Sequence, residues 1–234
     1  MIVDFHMHSQ CSDGQLTPRN IVDLAVARGC EQIAITDHDT VAAYAELDSS
    51  TQSIRLIKGC EFSSQWQGRE IHIVGLNLDL QTTELLDGLA RQQQMRSQRA
   101  ERIAAQLARL GYKDSYAGAL QLANGSGLGR PHFARYLVEA GAVSNFQQAF
   151  KRYLAAGKPA YVRAEWANIE QVCGWIAAAG GVAVLAHPLK YKMTLTKLRS
   201  LLVAFKDVGG DGIEVISGAQ RPEQTRSMAA LARH

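Results

Sequence analysis

The stretch Val182-Ala183-Val184-Leu185-Ala186-His187-Pro188 decides the predicted fold class. Its apolar run is typical of a strand that is buried on both faces, as in the parallel sheets of α/β proteins. Helical patterns flank this strand at about 169–179 and 194–208, and a further apolar strand follows at 212–216. Strands that alternate with helices of this length favour a parallel α/β barrel or an open sheet over an all-β arrangement.

The amino-terminal part of the chain shows the same alternation. Thr17 and Pro18 have the pattern of an N-cap followed by the first residue of a helix, and this helix is expected to end at Gly29. Strands are predicted at 2–5, 32–36, 54–61 and 71–76, and the turn-prone pair Gln67-Gly68 joins the last two. Both ends of the chain therefore predict one α/β fold.

The middle of the chain interrupts this alternation with helices. A long helix is predicted at 83–110, and shorter helices follow to about residue 156. Residues 82–163 hold 12 Lys and Arg against 5 Asp and Glu, whereas the rest of the chain holds 13 against 17. We expect a discontinuous barrel domain at 1–81 and 159–234, and a basic helical insertion at 82–158 that faces an anionic substrate.

Composition excludes several classes of protein. The 234 residues are 47% hydrophobic, which is too apolar for a disordered chain. No apolar run reaches the roughly 20 residues that span a bilayer, and the first residues do not have the pattern of a signal peptide. The four cysteines form no C-x-x-C pair, so no zinc knuckle or redox motif is predicted. We expect a cytoplasmic protein without a membrane, and no protein partner is evident.

Ionisable side chains recur at or near the predicted strand ends. In a parallel barrel the carboxyl ends of the strands converge on one face, so these side chains are expected to form one site. Imidazole and carboxylate ligands without thiolate suit Mn, Zn or Fe, and seven ligands exceed what one tetrahedral ion accepts. Two or three divalent ions are therefore expected, with Glu61 able to bridge two of them. The candidate ligands are His6, His8, Asp13, His38, Glu61, His72 and His187.

Such a cluster indicates hydrolysis of a phosphoester. Metal ions polarise phosphoryl oxygens and lower the pKa of a bound water to about 7, which generates hydroxide for in-line attack. No side chain beyond the metal ligands stands out as a catalytic residue.

The motifs that carry these ligands resemble those of the PHP (polymerase and histidinol phosphatase) family. They are Asp4-Phe5-His6-Met7-His8-Ser9 with Ser12-Asp13-Gly14, Ile35-Thr36-Asp37-His38-Asp39-Thr40, Gly59-Cys60-Glu61-Phe62-Ser63, Glu70-Ile71-His72-Ile73-Val74-Gly75 and Ala186-His187-Pro188. The resemblance implies a distorted (β/α)7 barrel with a trinuclear, usually manganese, site held by the seven residues above.

Within that family, the helical insertion and residues 129–137 most resemble the RNase AM-like group. Members of that group remove phosphate from nucleotide 3′,5′-bisphosphates and degrade short RNA from the 5′ end. The resemblance thus implies a nucleotide or short single-stranded RNA as substrate.

One family motif is not found in this sequence. Family members carry a further strand with Gly-Ser-Asp-x-His, whose Asp and His complete the metal shell, and the last residues here are Leu231-Ala232-Arg233-His234. The expectation is that the last barrel strand and two ligands are missing, and that the open sheet edge exposes apolar surface.

Arginines of the insertion are the candidates for binding a second phosphate. Arg96, Arg99 and Arg102 recur every three residues on the long helix, and a guanidinium offers a planar fork to phosphate oxygens. Each could instead belong to a solvated helix face, and a histidine at the start of a helix could instead form a hydrogen bond there. The complete hypothesis for the non-scissile phosphate is Arg96, Arg99, Arg102, Arg130, His132 and Arg135.

Three functions remain open at this point. The first is a metal-dependent phosphoesterase acting on nucleotide 3′,5′-bisphosphates and short 5′-phosphorylated RNA. The second is a histidinol phosphatase, which would share the metal ligands but has no need for a second phosphate pocket. The third is a non-catalytic module that binds metal or nucleotide because the last motif is absent.

Overall fold

The computed structural model describes residues 2–47, 54–123, 125–218 and 220–233. Within these residues the core is a six-stranded sheet in which each strand pairs with the next one along the chain. Strands β1, β2 and β3 are parallel, and so are β5 and β6. The strands are β1 Val3–Met7, β2 Gln32–Ile35, β3 Arg55–Trp66, β4 Arg69–Leu76, β5 Val182–Leu185 and β6 Gly212–Ile213.

Strand β4 runs antiparallel to both of its neighbours, so the sheet is mixed and departs at this strand from the parallel barrel or open sheet that the sequence favours. The cause is the short connection between β3 and β4. Gln67 and Gly68 have φ values of 46° and 74°, and Trp66 pairs directly with Arg69 across them. Two residues with positive φ form the tight hairpin turn that matches the twist of antiparallel strands, which confirms the predicted turn.

The sheet curls so that its two edges approach each other. His6 lies on the edge strand β1 and Glu214 follows the opposite edge strand β6, yet their side chains are 2.7 Å apart. The described residues therefore form an α/β half-barrel. The count of seven strands and the absence of a last strand stay predictions.

The helices lie close to where the sequence predicts them. Thr17 caps α1 and Pro18 is its first residue, as expected. The long helix of the insertion is also confirmed, since α2 covers 83–109. The helices are α1 Pro18–Ala27, α2 Thr83–Arg109, α3 Ser115–Ala123, α4 Arg130–Glu139, α5 Phe146–Ala149, α6 Ile169–Ala178, α7 Leu195–Asp207 and α8 Pro222–Leu231. None of the helices in the described ranges is both long and apolar enough to cross a membrane.

Helix α2 contributes to two separate hydrophobic clusters. Its first half packs on the sheet, where Leu85 and Leu89 join a cluster with α6 and α7. Its second half packs on α3 and α4, where Ile103 and Leu107 join a different cluster. One continuous helix thus fixes the helical segment to the barrel. The division into a barrel domain and an insertion stays a prediction.

The edge of the sheet at β6 carries an apolar groove. Its volume is about 520 Å³, and Leu202, Val203, Phe205 and Ile213 contribute to its lining. Val203 is 61% exposed. Apolar surface thus lies beside β6, and the open edge left by a missing strand stays a prediction.

Candidate active site

A single buried carboxylate organises the site. Glu61, in β3, is 1% exposed, and histidines from several elements surround it. Its Oε1 lies 2.9 Å from Nδ1 of His72 and 2.8 Å from Nε2 of His187. Its Oε2 lies 3.3 Å from Nε2 of His6, 3.1 Å from Nε2 of His8 and 3.1 Å from Nδ1 of His38.

The order of the strands explains why these side chains meet. His6 lies in β1, His38 lies three residues after the end of β2 and pairs with Glu61 as an isolated bridge, and His187 lies two residues after the end of β5. Parallel strands place their carboxyl ends at the same edge of the sheet, which is the reasoning that predicted the cluster. His72 is not at the end of a parallel strand. It lies within the antiparallel strand β4, opposite Ser63 of β3.

Asp13 enters the cluster from the loop after β1. Its Oδ1 lies 3.5 Å from Nδ1 of His8, and its Oδ2 lies 3.9 Å from Nε2 of His38. Buried Asp37 shapes this loop, since it accepts hydrogen bonds from the hydroxyls of Ser9 and Ser12. All seven predicted metal ligands thus line one open cleft of about 420 Å³.

The donor set fits divalent cations. Three groups of residues each bring three ligand atoms within 4.8 Å of one another, and they share His8, His38 and Glu61. The groups are His6 with His8 and Glu61, His8 with Asp13 and His38, and His38 with Glu61 and His72. In the described part of the chain, buried Nδ1 of His38 forms no hydrogen bond, although it lies 3.1 Å from Oε2 of Glu61. A buried nitrogen without a partner is costly unless a ligand uses it.

The charges in the cluster oppose each other. Burial raises the pKa of Glu61, but His38, His72, His187 and His6 outweigh it and hold that pKa well below its usual range. Burial, together with the neighbouring His8 and His72, lowers the pKa of His38 to about 3 against the weaker opposing effects of Glu61 and Asp13. The site is therefore an ionised carboxylate among imidazoles, of which His38 is neutral, and neutral imidazole and carboxylate are the forms that bind metal.

Glu214 is a site residue that the sequence analysis missed. Its Oε1 lies 2.7 Å from Nδ1 of His6, and its Oε2 accepts a hydrogen bond of 2.5 Å from the backbone N–H of His187. Burial lowers the pKa of His6, yet bonds to Glu214 and Glu61 raise it to about 10. Glu214 follows the short strand β6, so the rule that found His187 at the end of β5 could have found it.

Tyr191 is a second residue without a prediction. Its hydroxyl accepts a hydrogen bond from the backbone N–H of His72 and donates to the carbonyl of Ala186. This hydroxyl thus links β4, which carries His72, to the residue that precedes His187.

A second pocket lies beside the histidine cluster, and three of the predicted arginines line it: Arg96, Arg99 and Arg130. The guanidinium of Arg96 forms an ion pair with buried Asp39, and Arg99 is paired with Glu70 at 3.0 Å. Both guanidinium carbons stand over the ring of Trp166, at 5.3 and 5.4 Å from its centre. We call this the arginine pocket, defined by Arg96, Arg99, Arg130, Asp39, Glu70 and Trp166.

Glu70 is the central anion of the arginine pocket. Its carboxylate accepts hydrogen bonds from Arg99, from Nη2 of Arg130 at 3.1 Å and from the indole N–H of Trp166 at 3.0 Å. Burial raises the pKa of Glu70, but Arg130 and Arg99 outweigh it and bring it well below its usual range. Glu70 and Arg130 also line the cleft of the histidine cluster, so the two sites share a wall.

Of the remaining predicted substrate residues, His132 lines the arginine pocket, whereas Arg102 and Arg135 are not part of its lining. Arg102 is exposed and bonds to the carbonyl of Gln98 in its own helix. His132 is 1% exposed, lines the pocket and accepts a hydrogen bond from the N–H of Gly129, so it caps α4. Arg135 donates to the carbonyl of Asp13 and thus holds the loop that carries this candidate ligand.

The fold and the site define an α/β protein with a cluster of histidines and carboxylates that could hold divalent cations and an adjoining pocket lined by arginines. The sequence matches the PHP domain family over residues 4–165, and the chain belongs to that family.

Curated relatives extend the similarity over nearly the whole chain. It is 46% identical to a 5′-3′ exoribonuclease of Haemophilus influenzae, over 98% of this chain and 84% of that protein. It is 39% identical to a 3′,5′-nucleoside bisphosphate phosphatase of Chromobacterium violaceum, over 97% of this chain and 81% of the relative. A solved structure from the same organism, an amidohydrolase with bound sulfate and no metal, has a TM-score of 0.94 at 38% identity and covers 99% of this chain and 83% of that one.

Proposed function

We propose that this protein is a metal-dependent phosphoesterase that hydrolyses nucleoside 3′,5′-bisphosphates and short 5′-phosphorylated RNA. The observation that carries the proposal is the shared wall of Glu70 and Arg130 between the histidine cluster and the arginine pocket. We infer that a substrate with two phosphoryl groups places one of them in each site. The activities named for the relatives from Haemophilus influenzae and Chromobacterium violaceum support this choice.

The metal ligands proposed are His6, His8, Asp13, His38, Glu61, His72 and His187. Three overlapping ligand groups suit two or three divalent ions, and a set of imidazoles and carboxylates suits manganese, with zinc or iron as alternatives. Ions bound there would neutralise phosphoryl oxygens and lower the pKa of water. The side chains themselves hold and orient these ions, and Glu214 fixes the ring of His6.

The proposed anchor for the non-scissile phosphate is the arginine pocket, with Arg130 as its main donor. Arg99 already donates hydrogen bonds from Nε to the carbonyl of Val162 and from both terminal nitrogens to Glu70. Arg96 is held by Asp39 and Ser63. Arg130 lies on the wall between the two sites and bonds to Glu70 through Nη2.

A single binding mode of the substrate accounts for both proposed activities. The 5′-phosphate lies in the arginine pocket, and the 3′-phosphoryl group lies over the histidine cluster. In a bisphosphate this group is a terminal phosphate, and in RNA it is the first phosphodiester. Cleavage there releases one nucleotide from the 5′ end.

The test compares phosphate release from adenosine 3′,5′-bisphosphate and from histidinol phosphate by the purified chain with added Mn²⁺. We expect the bisphosphate to be the better substrate by kcat/KM, because histidinol phosphate offers nothing to the arginine pocket. A higher kcat/KM for histidinol phosphate would favour the histidinol phosphatase. No hydrolysis of either, together with fewer than two ions per chain, would favour a non-catalytic module.

A further inference from the structure

The anion at the centre of the arginine pocket is unusual for a site that has to bind phosphate. Glu70 stands between Arg99 and Arg130, and it accepts hydrogen bonds from both. Asp39 neutralises Arg96 in the same way. The three arginines of the pocket therefore carry a net charge of only +1 once these two carboxylates are counted.

The carboxylate of Glu70 is held firmly. The indole N–H of Trp166 donates to the same oxygen as Nη1 of Arg99, and Trp166 is 2% exposed. A side chain with this many partners is not readily displaced by an incoming phosphate. An anion that enters the pocket has to bind next to Glu70 and is repelled by it.

We propose that Glu70 is a specificity-determining residue that limits the charge of the 5′ end that the pocket accepts. The inference rests on the proposed function, because it places the 5′-phosphate in the arginine pocket. With Glu70 in place, a 5′-monophosphate is bound by Arg130, and a 5′-triphosphate is disfavoured because each added negative charge is repelled. The carboxylate also keeps the guanidinium of Arg130 at the wall between the two sites.

The experiment measures kcat/KM for three substrates that differ only at the 5′ position. They are adenosine 3′-monophosphate, adenosine 3′,5′-bisphosphate and adenosine 3′-phosphate 5′-triphosphate, each with added Mn²⁺. The readout is the ratio of the triphosphate to the bisphosphate, with the 3′-monophosphate as the reference without an anchor. Ratios cancel any loss that a substitution causes at the histidine cluster.

Glu70→Gln is expected to raise the ratio of triphosphate to bisphosphate by about three- to tenfold, the size expected for removing one charge about 6 Å from the added phosphates in a solvated pocket. Glu70→Asp keeps the charge and should keep the wild-type ratio. Glu70→Ala removes the charge in a different way and should raise the ratio as Glu70→Gln does. Glu165→Gln removes an exposed carboxylate next to Trp166 and should change nothing.

An unchanged or lower ratio in Glu70→Gln and Glu70→Ala would overturn the inference. A ratio that rises equally in Glu70→Asp would also overturn it, since shape and not charge would then decide. Failure of the proposed function gives a different result, because the wild-type chain would then not hydrolyse the bisphosphate at all.

Discussion

Oε1 of Glu61 lies 2.8 Å from Nε2 of His187, although 126 positions separate the two residues. The sheet brings them together because β4 pairs with both β3, which carries Glu61, and β5, after which His187 lies. Four further histidines also approach the carboxylate of Glu61, so the first prediction concerns its charge.

Glu61→Gln should abolish most of the metal binding and lower kcat/KM for adenosine 3′,5′-bisphosphate by at least about 100-fold, because the neutral amide no longer attracts cations among the imidazoles. Metal content by mass spectrometry and initial rates check it. Glu101→Gln changes an exposed carboxylate on α2 and is the matched control. Two or more ions per chain in Glu61→Gln would refute the role given to this residue.

Glu214→Gln should weaken the binding of metal about 10- to 100-fold, because a carboxylate behind a ligand histidine orients its ring and raises its basicity. The relevant contact is the 2.7 Å distance from Glu214 Oε1 to His6 Nδ1. The concentration of Mn²⁺ that gives half of the maximal rate measures the effect. If this concentration matches that of the wild type, Glu214 is a bystander.

Arg130→Ala should raise KM for adenosine 3′,5′-bisphosphate about tenfold or more, because hydrogen bonds to charged groups contribute about 1.5–3 kcal/mol. The rate with adenosine 3′-monophosphate, which lacks the anchor, should change little. Arg102→Ala is the control, since that side chain is exposed and bonds to its own helix. Equal effects of both substitutions would argue against the arginine pocket as the anchor.

Arg96→Ala should destabilise the fold by about 3–5 kcal/mol, because it leaves the buried carboxylate of Asp39 without its cation. Asp39 also accepts hydrogen bonds from the backbone of Ser63 and the side chain of Gln92, so the charge cannot move to solvent. Urea unfolding measures the change. A loss below about 1 kcal/mol would show that the pair is not structural.

Gly88→Ala should destabilise the contact between α2 and α6 by about 1–3 kcal/mol, since an added Cβ would lie 2.4 Å from the ring of Trp175. Gly174→Ala is the control on α6, where a Cβ meets nothing within 4 Å. That substitution should stabilise by about 0.5–1 kcal/mol through helix propensity. Thermal unfolding of both variants tests whether α2 is fixed to the barrel as described.

The sequence was sufficient for the elements that depend on local patterns. The cap at Thr17, the turn at Gln67-Gly68 and the helix at 83–109 follow from neighbouring residues, and the structure has all three. The direction of β4 was missed, although the same turn determines it. A two-residue turn with positive φ makes an antiparallel hairpin, so the turn alone predicts an antiparallel β4, whereas the alternation of strands and helices favoured parallel strands.

The candidate metal ligands were predictable because the order of the strands brings residues that are distant in the sequence into one cluster. The arginine pocket was harder to predict from the sequence. Residues three apart on a helix drift by about 60° around its axis, and Arg102 has therefore left the face that carries Arg96. Glu70 could not be assigned at all, because its partners Arg99 and Arg130 come 29 and 60 positions later on different helices.

The central claim is that the histidine and carboxylate cluster holds divalent ions that hydrolysis of a phosphoester requires. The most direct measurement is phosphate release from adenosine 3′,5′-bisphosphate by chelator-treated protein as Mn²⁺ is added back. The rate should be negligible at first and should rise to saturation with the added ion. A rate in excess chelator equal to that with Mn²⁺ would contradict the account.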